Sequence, residues 1–458
     1  MISNLRAPVY VQVEITSNCN NRCLYCYNFW RKGDCVIKRN DLPTSALSSI
    51  AKKLSDAGVF YVTITGGEPF LRPTELRHFM DALVEQGIRI MINSNATLIT
   101  EDVAAWLASY PVEIFLASIV SHEAQQHDKI SQHAGAHAKT VAGIRNLQNH
   151  GIPVALNMVA TKLNYKDVYA TGRWAFETLG VCDFSATPIC PSLPEHLQLA
   201  LDRDEVVDVL NQLLSLKKDC GTRVDILEVL PVCLLQEDDG DDLAGILSAR
   251  MCTAGNTTMT IGSDGEVRVC SYDEQSYGNL LTEDFEDIWS RMISWRDNSL
   301  LPQECKDCSI LDACGGGCRV SSKIRSGSYC SVEPLAKGTV SKRQRDMVQI
   351  QPAIPSDVRL CVTKNISFRK ENSGKFLVVA HSRHFVILNA AGLSFLERLS
   401  RFASFTLKEI RESESCDQSS TDALFAEFYA KGFFVLASQS GKEGGDYHAE
   451  KAFVSSSY

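Results

Sequence analysis

Apolar positions in the first 190 residues repeat one pattern: a short β-branched run, a stretch with apolar positions three and four apart, then a glycine. The runs predict strands at Val9–Thr16, Tyr61–Thr65, Arg89–Asn95, Val112–Ser118, Val154–Ala160 and Val181–Thr187. Amphipathic helices fall between them, as at Thr74–Gln86 and Lys139–His150. Four helices stop at a glycine just before a strand: Gly58, Gly87, Gly151 and Gly180. Six β/α units joined by such crossovers predict a parallel sheet with helices outside it. An open two-layer sheet and a partial barrel both fit. In either, ligands sit at the carboxyl ends of the strands.

From about 191 to 250 the pattern is lost. Pro191, Pro194 and Pro231 punctuate this stretch, Glu237–Asp242 reads as a solvated acidic loop, and the whole is assigned as a bridging region. Residues 251–335 are rich in Cys and Gly, and such a segment buries too little apolar surface to stand without a staple. Residues 336–352 read as a polar linker. Periodicity returns over 353–440. Strands are expected at Val358–Phe368, Lys375–Ala380 and His384–Leu388, and helices at Ala390–Ser400, Leu407–Glu412 and Ser420–Gly432, making a small α+β unit. The Gly/Ser-rich, charged tail, 441–458, is expected to be disordered.

Composition changes this picture in two places. The chain has 458 residues, and its net charge of −9 gives no long-range attraction to nucleic acid or anionic lipid. No apolar run nears the length of about 18 residues that a membrane span needs. The amino end passes into a strand without a secretory signal, so a cytoplasmic protein is expected. The 17 cysteines are the anomaly. Disulfides explain them poorly in a large intracellular chain, and metal binding is the better expectation.

Cys19, Cys23 and Cys26, spaced C-x3-C-x2-C, follow the first strand. Three thiolates on one loop can hold three irons of a 4Fe–4S cube and leave the fourth open. A zinc site lacking one ligand, or three unrelated thiols, is the plainer reading. TITGGEP (Thr63–Pro69) ends the second strand, again at the carboxyl end, and its glycines would let backbone approach a ligand.

This pairing of motifs resembles the radical S-adenosylmethionine (SAM) enzymes over roughly residues 8–190. The resemblance implies a partial (β/α)6 TIM barrel, with Cys19, Cys23 and Cys26 binding a cluster whose open iron takes the amino and carboxylate groups of SAM. Gly66, Gly67, Glu68 and Pro69 would lie at the methionine amino group and Tyr25 near the adenine. Asn93, Ser94, Asn95 and Ser118 would lie near the ribose or carboxylate. Where the family often has an arginine after His127–Asp128, this chain has Ser131. The implied chemistry is reductive SAM cleavage to a 5′-deoxyadenosyl radical, which takes hydrogen from an unactivated carbon.

Further on lie Cys252, Gly265 and Cys270, then Cys305, Cys308, Cys314 and Cys318 spaced C-x2-C-x5-C-x3-C, then Cys330. Four thiolates at such spacing would also suit a structural zinc ribbon. The whole array resembles the SPASM extension of radical SAM enzymes, over about 251–335. That implies two auxiliary 4Fe–4S clusters, making three in all. Cys252, Cys270 and Cys318 would hold the inner one, and Cys305, Cys308, Cys314 and Cys330 the outer one. Some relatives carry a fourth inner cysteine soon after the first, but here that stretch reads AGNTTMT. Cys233, Cys190 and Cys35 are the candidates to replace it. Cys182, Cys220, Cys361 and Cys416 fit no spacing and read as structural.

The last unit, 353–440, is similar to the PqqD-like peptide-chaperone family, the recognition element for ribosomally made, modified peptides (RiPPs). An ordinary winged-helix-like packing domain is the alternative. The resemblance implies that a leader peptide adds as a strand beside Arg383, His384, Phe385, Val386, Ile387 and Leu388. Arg359, Lys364, Arg369, Lys370, Lys375 and Arg383 make the strand half basic, which suits an acidic leader. The chain is thus expected to be an enzyme modifying a precursor peptide by a thioether or carbon–carbon cross-link, with a flavodoxin or ferredoxin as reductant. Peptide epimerisation, protein maturation, cofactor biosynthesis from a peptide and a non-catalytic iron–sulfur scaffold are the other readings.

Overall fold

The structure is a computed structural model that describes residues 5–31, 41–236, 239–248, 250–336, 357–364, 366–380, 384–413 and 418–437. The chain divides into two compact units, Met1–Val348 and Gln349–Tyr458.

The first unit is built on one nine-stranded sheet of order β7-β6-β5-β4-β3-β2-β1-β8-β9. Its parallel strands are β1 (Tyr10–Glu14), β2 (Tyr61–Thr65), β3 (Arg89–Ser94), β4 (Val112–Ser118), β5 (Val154–Ala160), β6 (Asp183–Pro188) and β7 (Arg223–Asp225). Helices α1 (Thr44–Ala57), α2 (Pro73–Glu85), α3 (Glu101–Leu107), α4 (Ala124–Ser131), α5 (Ala136–Asn149) and α6 (Val168–Leu179) lie between the first six strands. This order agrees with the partial (β/α)6 barrel that the resemblance implies, one of the two arrangements the periodicity left open. Each of the four interrupting glycines has positive φ and ends its helix within two residues. The core joins the strand residues Val11, Val13, Ile64, Ile92 and Phe115 to helix residues such as Leu47, Phe79 and Ile144, all of them fully or almost fully buried.

Two expectations need correction. The stretch said to lose its pattern contains α7 (Arg203–Cys220), the 18-residue helix that leads to β7, and α8 (Asp241–Ser248). Asp202 and Glu205 close a reciprocal capping box at its start, and Val206, Val209, Leu210, Leu213 and Leu216 are buried. The expected acidic loop therefore runs into α8 at Asp241; Glu237 and Asp238 lie outside the described residues. Second, the cysteine-rich segment is not held by a staple alone. Its strands β8 (Thr258–Ile261) and β9 (Val267–Arg268) form a hairpin, and β8 pairs in parallel with β1, from Tyr10↔Thr258 to Val13↔Ile261. β1 thus lies between β2 and β8.

The second unit holds a three-stranded antiparallel sheet of β11 (Ser367–Lys370), β12 (Phe376–Val379) and β13 (Phe385–Leu388), and a pair of β10 (Leu360–Val362) with β14 (Phe434–Leu436). The single strand expected over Val358–Phe368 is two strands in two sheets, and the final strand β14 went unpredicted because it is only three residues long. Helices Ala390–Leu399, Leu407–Ser413 and Gln418–Ala430 pack with the strands around Phe405, Phe425, Phe428, Phe433 and Phe434. Most of the expected linker, the 441–458 tail, Cys35, Cys416 and Arg383 lie outside the described residues. No helix among the described residues is long and apolar enough to cross a membrane.

Candidate iron–sulfur and cofactor site

The first cysteine loop leaves β1 at its carboxyl end and is pinned from three sides. The end of α4 accepts two of its amide hydrogens: Arg22 N donates to the Ser131 carbonyl and Leu24 N to that of Ile130, each at 3.0 Å. Ser131, where an arginine was expected, is buried at this contact. Just past β3, Asn95 Nδ2 donates to Asn20 Oδ1 at 2.9 Å and lies 3.8 Å from Cys19 Sγ. Behind the loop, Trp30 Nε1 donates to the Ser17 carbonyl at 3.1 Å. All three thiols lie near enough to the Tyr25 phenol to act on it. Burial first, then the neighbouring Cys23, Cys26 and Cys19, push the Tyr25 phenol well above its ordinary range.

The GGE segment has a structural role beside the ligand approach expected of its glycines. Gly67 N donates to the Thr16 carbonyl at 2.7 Å and Glu68 N to that of Asn18 at 2.8 Å, so the segment continues the β1–β2 ladder into the cysteine loop. A Cβ on Gly66 would lie 2.6 Å from the Thr16 carbonyl oxygen, and one on Gly67 only 1.9 Å from that of Asn18. The close approach is thus made to the chain entering the loop. Glu68 is fully buried, and its carboxylate accepts from Phe70 N, Asn95 N and Ser94 Oγ at 2.9–3.1 Å. Burial pushes it up to about 7, against those three donors. Glu68 and Ser94 therefore spend their side chains tying β2 to β3. Pro69 opens a turn capped by Glu68. Asn93 and Ser118 are half-buried on β3 and β4.

The second cysteine group hangs from the β8–β9 hairpin. Cys270 follows β9. Cys318 caps the helix Arg319–Ser326, its sulfur accepting from Ser321 N at 3.5 Å. Cys252 is pushed up to about 12 by burial and by the nearby Cys318 thiolate. Burial and the charges of Asp273, Cys318 and Cys252 push up Cys270. These three expected inner ligands thus lie near enough to act on one another, Cys318 buried and Cys252 and Cys270 half-buried. Cys305, Cys308 and Cys314 form a second gathering, in which burial and neighbouring thiols push Cys305 up to about 11. Cys233, a candidate for the inner set, lies with this outer group instead, beside both Cys305 and Cys314. Cys330 is exposed and donates to the Ser299 carbonyl at 3.7 Å.

The two cysteine regions are joined by buried polar and aromatic contacts. Arg268 on β9 and Glu14 on β1 form an ion pair at 2.6 Å with both side chains fully buried, and the guanidinium lies over the rings of Phe29 and Trp30. Ser271 donates to Gln12 on β1. Tyr27, next to Cys26, meets Tyr272 edge-to-face at 5.3 Å.

In the second unit, β13 pairs only with β12 among the described strands, so its other edge carries no strand. His384 and Ile387 are exposed, Phe385 half-buried, and Val386 and Leu388 buried. The basic face is smaller than the composition suggested. Arg369 is buried against Glu371 at 2.6 Å, and Arg359 pairs with Glu409 at 3.1 Å.

Residues 13–175 match the model of the radical SAM superfamily, and residues 252–309 match that of an iron-sulfur cluster-binding domain, SPASM. The class these two matches point to is that of radical SAM proteins with an iron–sulfur extension, and the chain is similar to that class over those two segments. Among curated proteins it is similar to the AdoMet-dependent heme synthase of Methanosarcina barkeri, 23% identical over 73% of this chain and 97% of that one. It is likewise similar to the mycofactocin maturase MftC of Mycobacterium tuberculosis, 27% identical over 70% of this chain and 81% of that one. Among solved structures, Streptococcus suis SuiB bound to its precursor peptide SuiA superposes with a TM-score of 0.59 at 19% identity, over 73% of this chain and 77% of that one. Native anSMEcpe with bound AdoMet gives 0.60 at 18%, over 74% and 97%.

Proposed function

We propose that this protein is a radical SAM enzyme that modifies a ribosomally made precursor peptide. The carrying observation is the pairing of β1 with β8, which sets a three-cysteine loop and a second cysteine group on one sheet. The donors fit iron–sulfur clusters: thiols gather in two groups beyond the first loop, with Cys314 and Cys318 buried and Cys252, Cys270, Cys305 and Cys308 half-buried, and thiolate is the ligand such clusters take. Cys19, Cys23 and Cys26 would hold the SAM-binding cluster. Cys252, Cys270 and Cys318 would hold an inner auxiliary cluster, and Cys305, Cys308, Cys314 and Cys330 an outer one. When bound, the reduced cluster and SAM supply a carbon radical strong enough to take hydrogen from an unactivated carbon. The chain's own part is positional. The ladder from Thr16 to Glu68 and the α4 contacts fix the cysteine loop, and the sheet's core keeps water from behind it.

A peptide substrate is favoured by two things. SuiB is a structural neighbour solved with a precursor peptide, and MftC is by name a maturase. The heme synthase aligns over nearly its whole length with under three quarters of this chain, so about a quarter here has no counterpart in it, which is the size of the second unit. That unit would take the leader as a strand on β13, raising the local concentration of the core segment. A thioether or carbon–carbon cross-link is the product proposed, with a flavodoxin or ferredoxin as electron donor. The heme synthase likeness favours a porphyrin substrate as the second reading. Anaerobic reconstitution with SAM, reductant and the co-encoded peptide tests both. The proposal expects 5′-deoxyadenosine and a peptide lighter by two hydrogens. Replacing Cys19, Cys23 and Cys26 together by Ala should remove both products, and deoxyadenosine surviving that change would refute the cluster assignment.

A further inference from the structure

The expected inner set has three cysteines, and the segment where a fourth might stand is committed elsewhere. Thr257 accepts from Val9 N at 2.8 Å, and Thr258 opens β8, so AGNTTMT serves to start the pairing with β1. Of the three thiols able to replace it, Cys233 sits with the outer group and Cys35 lies outside the described residues. Cys190 stands two residues beyond β6, buried, with its Sγ 3.6 Å from that of Cys318. Its backbone is held: Ile189 N donates to the Ala160 carbonyl at 2.9 Å and Ser192 N to that of Cys190 at 2.8 Å. Pro191 restricts Cys190 further, so the thiol is presented at little conformational cost. Glu228 enters the same space. One of its carboxylate oxygens and the Cys190 and Cys318 sulfurs lie within 4.8 Å of one another, all three residues buried. Its Oε2 has no hydrogen-bond partner among the described residues.

We infer that Cys190 is the fourth thiolate of the inner auxiliary cluster, so that a residue of the barrel closes a cluster otherwise held by the cysteine-rich extension. This rests on the reading that Cys252, Cys270 and Cys318 bind iron and sulfide. Between the two buried donors beside Cys318, a soft thiolate is the ligand for this group and a carboxylate is not its usual one. Glu228 then lies against the cluster without ligating it.

The test uses the full chain carrying Cys19, Cys23 and Cys26→Ala, reconstituted anaerobically, so that only auxiliary clusters remain. In this parent chain a four-thiolate inner cluster keeps its iron under mild ferricyanide oxidation and takes up no labelled cyanide. Cys190→Ala should lose about one iron per chain on the same oxidation, show a three-iron electron paramagnetic resonance signal and bind cyanide or added 2-mercaptoethanol. Cyanide uptake by the parent overturns the inference without any variant. So does a Cys190→Ala or Cys190→Ser chain with the parent's Mössbauer spectrum and iron content. Iron loss on Glu228→Gln but not on Cys190→Ala assigns the ligand to the carboxylate and overturns it as well. If replacing Cys252, Cys270 and Cys318 removes no iron from the parent, the underlying reading fails too, a result distinct from the others.

Discussion

Single residues decide how closely the cysteine loop is held. Gly67 has no room for a methyl group beside the Asn18 carbonyl, whereas a Cβ at Gly87 would meet nothing within 4 Å. Gly67→Ala should destabilise the fold by about 3 kcal/mol, as overpacking against backbone does. Gly87→Ala, at φ 69°, should cost only about 1 kcal/mol of left-handed strain. Urea unfolding of the two variants measures the contrast, and equal costs would contradict the packing described. His127 gives a pH signature. Burial, then the nearby His137, lowers it to about 4, and its Nδ1 accepts from Val120 N at 3.3 Å. With the folded value below the ordinary 6.5, the unfolded chain binds the proton first. Stability should therefore fall as pH drops from 6.5 toward 4, by up to about 3 kcal/mol, and the slope should flatten in His127→Asn. At this scale the sequence was informative about residue types and less so about partners. GGEP was legible as a motif, but nothing in one dimension says that its glycines press on Thr16 and Asn18. Likewise the basic residues of the second unit were countable, while the burial of Arg369 against Glu371 depends on a fold around them.

Elements explain why some of the sheet was readable and some not. The first six strands were legible because they are short apolar runs set off by amphipathic helices, four of which end at a glycine; β2 is buried at every position and β3 at alternate ones. α7 was hard to read although Asp202 and Glu205 announce its start, because Pro194 and Pro231 flank the stretch and Val206, Val207 and Val209 lower its intrinsic helix propensity. The β8–β9 hairpin was missed for another reason. Strands of four and two residues carry little periodicity, and their stability comes from a neighbour far away in sequence. The Glu14–Arg268 pair makes that dependence testable. Arg268→Met leaves a buried carboxylate uncompensated and should cost about 3–5 kcal/mol, with Glu14→Gln added on top costing less than the two separate losses combined. A double-mutant cycle in urea measures the coupling, and strict additivity would mean that the pair does not join the hairpin to β1.

For the whole molecule, the two units should separate two functions. Deleting residues 353–458 should leave SAM cleavage in the absence of peptide unchanged and weaken precursor binding at least tenfold, or about 1.4 kcal/mol. Anisotropy of a labelled precursor reads the affinity, and an unchanged value would remove the leader-binding role from the second unit. The cysteine spacings carried most of what the sequence disclosed about chemistry. The partition of the thiols into groups was less legible, since Cys233 joins the outer one and Cys190 reaches Cys318 only through chain turns with no local signature.

The parallel pairing of β8 with β1 has one more consequence. A barrel that stopped at β7 would leave the outer flank of Tyr10–Glu14 with unsatisfied amides and carbonyls, an invitation to self-association. The hairpin shields that flank, so the shortest soluble fragment of the first unit has to run past Arg268, and trimming back to the radical SAM core alone exposes a sticky border rather than liberating a minimal enzyme.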